Sequence, residues 1–392
     1  MSPDLTHFWR LVLTLAILTA VPAPLIGQEL KLTPSLVLKE EYNDNVFLTS
    51  GSKQGDFITT LTPSLELTSR TERRDASLAG GINWLSYIRF TNNDSVDYFA
   101  NGAFGYKVTP RLDFSVGAGY TRNSRPDQID AATGLSVNSG SGIQSYQVGG
   151  SYITTEKSKI LMSYGYIQED FDRADLLSNR QHQASGGLSY TLTPETNIVE
   201  MFNFNRQLTD VSTVDNYAAT IGLTKRFREL WNFSITAGGR FTHSDLNFTN
   251  QLRESNGDWG WVGGLSFNYS GEKMSSTVSF NHDVSLAAGR TGSSERTGGS
   301  VTLGDKFTQK LSGSAGLGYF LNKSTQGQFS VQTIDEKTLD INCLVRYEFT
   351  KDLALEGSYH YLNINTDYVQ TRTQANQNRF MLSLTMRHML SL

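Results

Sequence analysis

The stretch Leu112-Asp113-Phe114-Ser115-Val116-Gly117-Ala118-Gly119-Tyr120-Thr121 decides the fold. Leu112, Phe114, Val116, Ala118 and Tyr120 share one parity, and Asp113, Ser115, Gly117, Gly119 and Thr121 the other. Period two belongs to a β-strand, whose successive side chains point to opposite faces. The pattern returns along the chain. Phe233, Ile235, Ala237, Gly239 and Phe241 alternate with Asn232, Ser234, Thr236, Gly238 and Arg240. Leu339, Ile341, Cys343, Val345, Tyr347 and Phe349 alternate with Asp340, Asn342, Leu344, Arg346 and Glu348. Such runs last roughly 11–14 residues, beyond the 5–6 of soluble strands and enough for a tilted bilayer crossing.

Alternation alone also fits a soluble sandwich, so the punctuation has to discriminate. Short polar turns recur at Arg70–Asp75, Thr109-Pro110-Arg111, Thr155-Glu156-Lys157, Thr193-Pro194-Glu195, Phe227-Arg228-Glu229, Gly271-Glu272-Lys273, Thr308-Gln309-Lys310 and Thr350-Lys351-Asp352. Their spacing of roughly 40 residues is that of a hairpin plus an outer loop. An aromatic precedes seven of them: Tyr106, Tyr152, Tyr190, Phe227, Tyr269, Phe307 and Phe349. Recurring at one depth, these predict a girdle at one membrane interface, the periplasmic one. Tyr120, Tyr166, Phe204, Phe241 and Tyr361 mark the opposite strand ends. A sandwich gives no reason for two aromatic levels.

Two strands per turn, plus one at each terminus, predict an all-β chain of about 18 strands. The expected fold is a single transmembrane antiparallel up-and-down barrel. An even count lets the sheet close without an exposed edge. Both termini and all short turns are then periplasmic. The longer loops Ser124–Gly142, Ser244–Asp258, Asn322–Ile334 and Asp367–Asn376 then face outside as solvent loops. The C-terminal run Phe380, Leu382, Leu384, Met386, His388, Leu390, Leu392 alternates to the end. Outer-membrane barrels close on such a strand, often with a terminal aromatic that the barrel assembly machinery reads; here the last residue is Leu392.

Composition agrees. The 392 residues are 38% hydrophobic, with 35 Gly, 8 Pro and 11% aromatics. A mean hydropathy of −0.34 is too low for a helical membrane protein but suits strands with one lipid face. Leu11–Val21 is an apolar run behind Arg10, followed by small and Pro residues to Gly27. This three-part layout predicts a signal peptide over 1–27 and a barrel over 28–392. The expected location is the outer membrane of a Gram-negative cell, in contact with its lipid. A formal net charge of −4 without a long basic run argues against nucleic acid as a partner. The lone Cys343 forms no intrachain disulfide, and its strand face suggests a small apolar filler.

Catalytic chemistry finds no footing. The six His are scattered without metal spacing, and adjacent His282 and Asp283 point to opposite faces of a strand. Neither catalytic residues, nor a metal site, nor a cofactor is expected. Glu40, Glu41 and Asp44 suggest a solvated turn, or less readily a cation at the first loop. The inward parity carries charges of both signs. Pore-lining candidates are Lys107, Asp113, Arg226, Arg240, Arg296, Lys306, Arg346, Glu348 and Glu356. They fit either a pore for a polar solute or polymer, or charge pairs that stiffen the wall.

Glu40-Glu41-Tyr42-Asn43-Asp44-Asn45-Val46-Phe47-Leu48-Thr49, followed by Asp56-Phe57-Ile58-Thr59-Thr60-Leu61-Thr62-Pro63-Ser64-Leu65, resembles the N-terminal signature of β-barrel porins found with exopolysaccharide and capsule export genes. The resemblance covers the first hairpin; beyond it the match is one of pattern. It implies a conduit of about 18 strands for secreted polysaccharide, docked on a periplasmic polysaccharide-export protein. The alternatives are a general or solute-specific diffusion porin and a structural or adhesive surface barrel. By itself Tyr42-Asn43-Asp44-Asn45 reads as a strand end breaking into an Asx-rich turn.

Overall fold

A computed structural model describes residues 29–130, 134–247, 253–367 and 372–391. The expected signal segment lies outside them. Eighteen long strands follow in order: β1 (Glu29–Asn43), β2 (Asp56–Arg70), β3 (Arg74–Tyr87), β4 (Ser95–Thr109), β5 (Leu112–Asn123), β6 (Ser141–Ile153), β7 (Ser158–Phe171), β8 (Asn179–Thr193) and β9 (Thr196–Leu208). Then come β10 (Ser212–Phe227), β11 (Trp231–Asn247), β12 (Arg253–Ser270), β13 (Met274–Leu286), β14 (Ser293–Lys306), β15 (Leu311–Ser324), β16 (Ile334–Thr350), β17 (Leu353–Asp367) and β18 (Arg372–Arg387). Each pairs antiparallel with its sequence neighbours, and β1 pairs with β18, so the sheet closes as an 18-stranded barrel. After a break at His388 and Met389, Leu390–Ser391 rejoin β1 in the same register as β18. The break falls opposite Pro34, whose carbonyl takes the His388 amide in register at 3.1 Å but whose nitrogen has no hydrogen to return, and the expected C-terminal alternation runs on through it.

The turns explain the registers. Pro, Gln, Glu and Lys follow the turn threonines, whose hydroxyls bond back to the chain. Thr109 Oγ1 accepts the amides of Arg111 and Leu112, and Thr308 Oγ1 those of Lys310 and Leu311. Thr155, Thr193 and Thr350 repeat the device. A side-chain acceptor in the turn fixes where pairing restarts, and parity follows from there. Arg228 and Glu229 turn instead through the left-handed region, at φ 47° and 59°.

Parity carries consistently round the wall. Leu38, Phe57, Trp84, Val96, Val148, Phe202, Ile221, Leu317, Val345 and Phe380 are exposed on the outer face. So broad an apolar exterior around a closed sheet is a membrane-facing surface. No helix among the described residues is long and apolar enough to cross a membrane; the crossing is made by strands. Cys343 stands outward and exposed on this face. Glu200 stands there too, across from Leu188 and Ile221, and nothing in the structure accounts for a carboxylate at that place.

The long loops depart from expectation. Ser244–Asp258 is mostly strand, because β11 and β12 run on as a paired ribbon from Asn247 and Arg253. Asp367–Asn376 shortens likewise, since β18 starts at Arg372. Their polar residues pair with each other beyond the apolar belt, so solvent composition there did not mean loop conformation. Ser124–Gly142 does not project into solvent at all; it folds inward.

The Asx-rich segment closes the barrel. The Asn43 carbonyl-amide oxygen takes the Asn45 amide at 2.9 Å. Asp44 accepts the Asn378 backbone amide and side-chain Nδ2, each at 2.7 Å. Asn45 Nδ2 reaches the Asn376 carbonyl at 2.9 Å, and Gln377 Nε2 returns to the Asn45 carbonyl at 2.8 Å. The two residues just after β1, Asp44 and Asn45, thus clasp β18.

Candidate functional site

The site is the lumen and the segment that crosses its mouth at the long-loop end. Residues 124–130 and 134–140 leave β5 and return to β6 as a finger, internally bonded from Val137 N to Gln128 O and from Asp130 N to Leu135 O. Its base is held by ion pairs. The Arg125 guanidinium donates to both Glu41 oxygens, at 2.6 and 3.1 Å, and to both Asp127 oxygens, at 3.0 and 3.1 Å. Asp127 also accepts Asn43 Nδ2 and Gln377 Nε2, each at 2.9 Å. The tip reaches β16: Ser136 N donates to Glu336 at 2.7 Å, and Thr338 Oγ1 to the Gly134 carbonyl at 2.7 Å. Arg290 pairs with the same Glu336. Leu135 packs with Ala287 and Ile334, and Ile129 with Leu48, Leu362 and Ile364. β5 and β16 stand seven strands apart around the wall, so the finger spans the mouth rather than lining it.

Burial and charge make this anchor robust to acid. Burial raises the Asp127 carboxyl, but the Arg125 guanidinium and the Gln377 amide outweigh it and hold the group well below the usual carboxylate range. Arg125 is raised in turn by Asp127 and Glu41, against its own desolvation. A depressed carboxyl contributes stability that is full above its unfolded value of ~3.9 and is lost only as pH falls through the folded one. Conductance in planar bilayers should therefore stay constant from pH 8 down to about 4. A rise in current between those limits would show that the Asp127 anchor does not hold the finger.

Below the finger the lumen has two unlike walls. On the β5–β13 side lies a chamber of about 620 Å³. Its polar lining is Ser115, Gln147, Ser163, Gln183, Ser185, Asn203, Asn205, Asn216, Thr220, Thr236 and Asn281, with His282 and the carboxylate of Asp283. No Lys or Arg lines it. Gly117 opens room in this wall: a Cβ there would sit 2.7 Å from the Gln147 amide nitrogen. Amides and hydroxyls offer donors and acceptors together, and Asp283 is the one charged side chain among them. The opposite wall holds a second cavity of about 470 Å³ at the short-turn end, lined by Glu66, Arg346, Glu348, Lys351, Asp352 and Arg387 among others.

None of the nine charged candidates lines this chamber, although all share the inner parity. Arg346 bonds Glu356 at 2.7 Å and Glu348 at 3.3 Å, so three of the nine form one cluster. Lys107 faces Asp113, which bonds Ser151 at 2.6 Å. Arg226 and Lys306 lie at the last inward positions before their turns. Arg296 lies over the Phe320 ring at 5.3 Å, and Arg240 is almost wholly buried. The seven girdle aromatics all take outward parity at the short-turn end; Tyr152, Tyr190, Phe227, Phe307 and Phe349 are exposed there. Glu41 and Asp44 are engaged by Arg125 and Lys53, leaving no cation site between them. Among the described residues no group of His, Cys, Asp or Glu is placed to hold a metal ion.

Sequence reasoning missed the finger. Its signal was present as Ile129, Leu135 and Val137, apolar residues in an otherwise polar loop.

Residues 30–133, about a quarter of the chain, match a family described as "Putative beta-barrel porin 2". A comparison with curated proteins finds no match. Among solved structures, OccK9 (OpdG) of Pseudomonas aeruginosa is 12% identical, with 92% of this chain and 98% of that one covered and a TM-score of 0.49. OccAB4 of Acinetobacter baumannii is 12% identical over 92% and 98%, with a TM-score of 0.46. The ferric citrate transporter FecA in its unliganded form is 9% identical over 93% and 79%, at 0.48.

Proposed function

We propose that this chain is a solute-selective channel of the outer membrane, with both termini periplasmic and the finger across its outer mouth. Its solutes are uncharged and rich in hydroxyls, of the saccharide class. The observation that carries this is the chamber wall of amides and hydroxyls without a cation. A hydroxylated ring trades its water for such a wall bond by bond, whereas an anion gains little there. In planar bilayers, maltose added to one side should interrupt the ionic current in discrete events, and Asn203→Leu with Asn205→Leu should make them rarer and shorter. Uninterrupted current at millimolar maltose would sink the reading.

A second reading keeps the neutral wall but lengthens the solute. The resemblance carried by Glu40–Thr49 and Asp56–Leu65 points to secreted polysaccharide, delivered by a periplasmic export protein. Deleting the gene should then abolish surface polymer and leave its synthesis intact. The short channel is preferred, because the mouth is closed by a docked finger and the matched family is described as a porin.

A further inference from the structure

The wall is least zipped between β12 and β13. β12 pairs with β11 at seventeen positions but with β13 at eight, and that second ladder stops at Gly263↔His282. Beyond it β13 continues against β14 alone, up to Leu286↔Ser293. Trp259–Val262 therefore have no ladder partner on the β13 side among the described residues. The parting lies at membrane depth. Trp259 is 78% exposed and pairs with Phe241, which pairs with Tyr217, all at the outer aromatic level. Unpaired backbone is tolerated at that depth where it lines a wet cavity. The chamber supplies one: its lining includes Val262 of the unpaired segment, with Gly263, His282 and Val284 beside the end of the ladder.

Side chains span the gap in place of a ladder. Arg240 crosses the inner face of β12 over Gly260, where a Cβ would meet the guanidinium at 2.5 Å. It donates Nη1 to Asp258 at 3.0 Å and Nη2 to Glu295 Oε1 at 2.9 Å. The same Glu295 oxygen lies 3.2 Å from His282 Nε2. The His282 ring stacks on Trp261 at 3.9 Å. One carboxylate of β14 is thus bonded to Arg240 of β11 across β12, with the His282 ring of β13 beside it, behind two tryptophans.

We propose that the β12–β13 seam is a lateral passage between lumen and outer leaflet, bolted by Glu295 between Arg240 and His282. Its ligand is an amphiphile with a hydroxyl-rich uncharged head and a hydrocarbon tail. The head sits in the chamber, a placement that rests on the saccharide reading above, and the tail leaves between the strands beside Trp259 and Trp261. A soluble sugar has no use for a side exit at the aromatic level; a molecule that belongs in both phases does.

The test compares current blocks by maltose and by dodecyl maltoside below its micellar concentration. In a Cys343→Ser background, Trp259→Cys and Leu286→Cys are joined across the seam by oxidation or by a bis-maleimide. Unlinked, dodecyl maltoside blocks should last about tenfold longer than maltose blocks. Linking should bring them down to the maltose duration, and Glu295→Gln without a linker should make them more frequent. Equal durations before and after linking overturn the passage. Should neither reagent join the cysteines, Glu295→Gln decides, and an unchanged block frequency overturns it. The two readings separate cleanly. Maltose blocks with no effect of linking leave the chamber standing and remove the passage. Link-sensitive dodecyl maltoside blocks without maltose blocks do the reverse.

Discussion

Arg125→Ala should conduct several times more current in planar bilayers than the parent protein. Arg125 lies between Glu41 and Asp127, whose side chains are essentially inaccessible. Removing it leaves two carboxylates facing each other, with Lys39 at 3.2 Å from Glu41 and Arg379 at 3.9 Å from Asp127. Breaking a buried pair in this way costs about 3–5 kcal/mol. That cost falls on the docked finger and not on the barrel, whose eighteen ladders are untouched. It corresponds to roughly two to four powers of ten in the ratio of docked to undocked finger. Arg125→Lys keeps the charge but not the fork that grips two carboxylates at once, so its current should be intermediate. Parental conductance in Arg125→Ala would mean that the β16 contacts alone hold the finger, or that the finger does not limit flow.

The second large effect comes from two neighbours on one strand. Val301 faces outward between Val278 and Leu317, and Ser300 faces inward, within 2.7 Å of the Ser279 hydroxyl. Val301 lies six residues from Phe307 in the short-turn girdle. At ~3.3 Å per residue and ~40° of tilt it is about 15 Å into an apolar belt about 25 Å tall. Val301→Arg places a charge near mid-membrane and should cost about 2–4 kcal/mol. Ser300→Arg at the same depth points into the lumen and should cost little. Urea titration of the folded barrel in lipid, read by its heat-modifiable gel mobility, compares them. Equal costs would overturn the assignment of faces.

Local chemistry explains what was legible in the sequence. Alternation and the turns predict strand starts at Asp56, Leu112, Thr196, Trp231, Met274 and Leu353, and strands begin there, because these signals act within a few residues. The same reading puts starts at Trp259 and Asn378, where the strands begin six residues earlier, since polar ribbon pairs above the membrane look like loop. The finger was hidden for a different reason. Arg125 meets Glu41 from 84 positions away, and Ser136 meets Glu336 from 200. No window of sequence contains such a pair. The nine charged candidates took the inner parity, but parity says nothing about which inward residues gather. The chamber came from scattered Asn, Gln and Ser, residues unremarkable singly, and the side parting from a ladder that stops early.

The clasp between Asp44, Asn45 and β18 joins positions as much as 334 residues apart. Translation delivers the N-terminal half of that contact first. Through nearly the whole of synthesis, β1 and the newest strand are both open templates for any passing chain. Sealing therefore needs the final strand, which carries Asn376, Gln377 and Asn378. A chain that stops short of them lacks the last hairpin and, with it, the partner β1 needs to close the cylinder. Completeness of the polypeptide is tested at a single place, by the bonds that make the first strand and the last into neighbours.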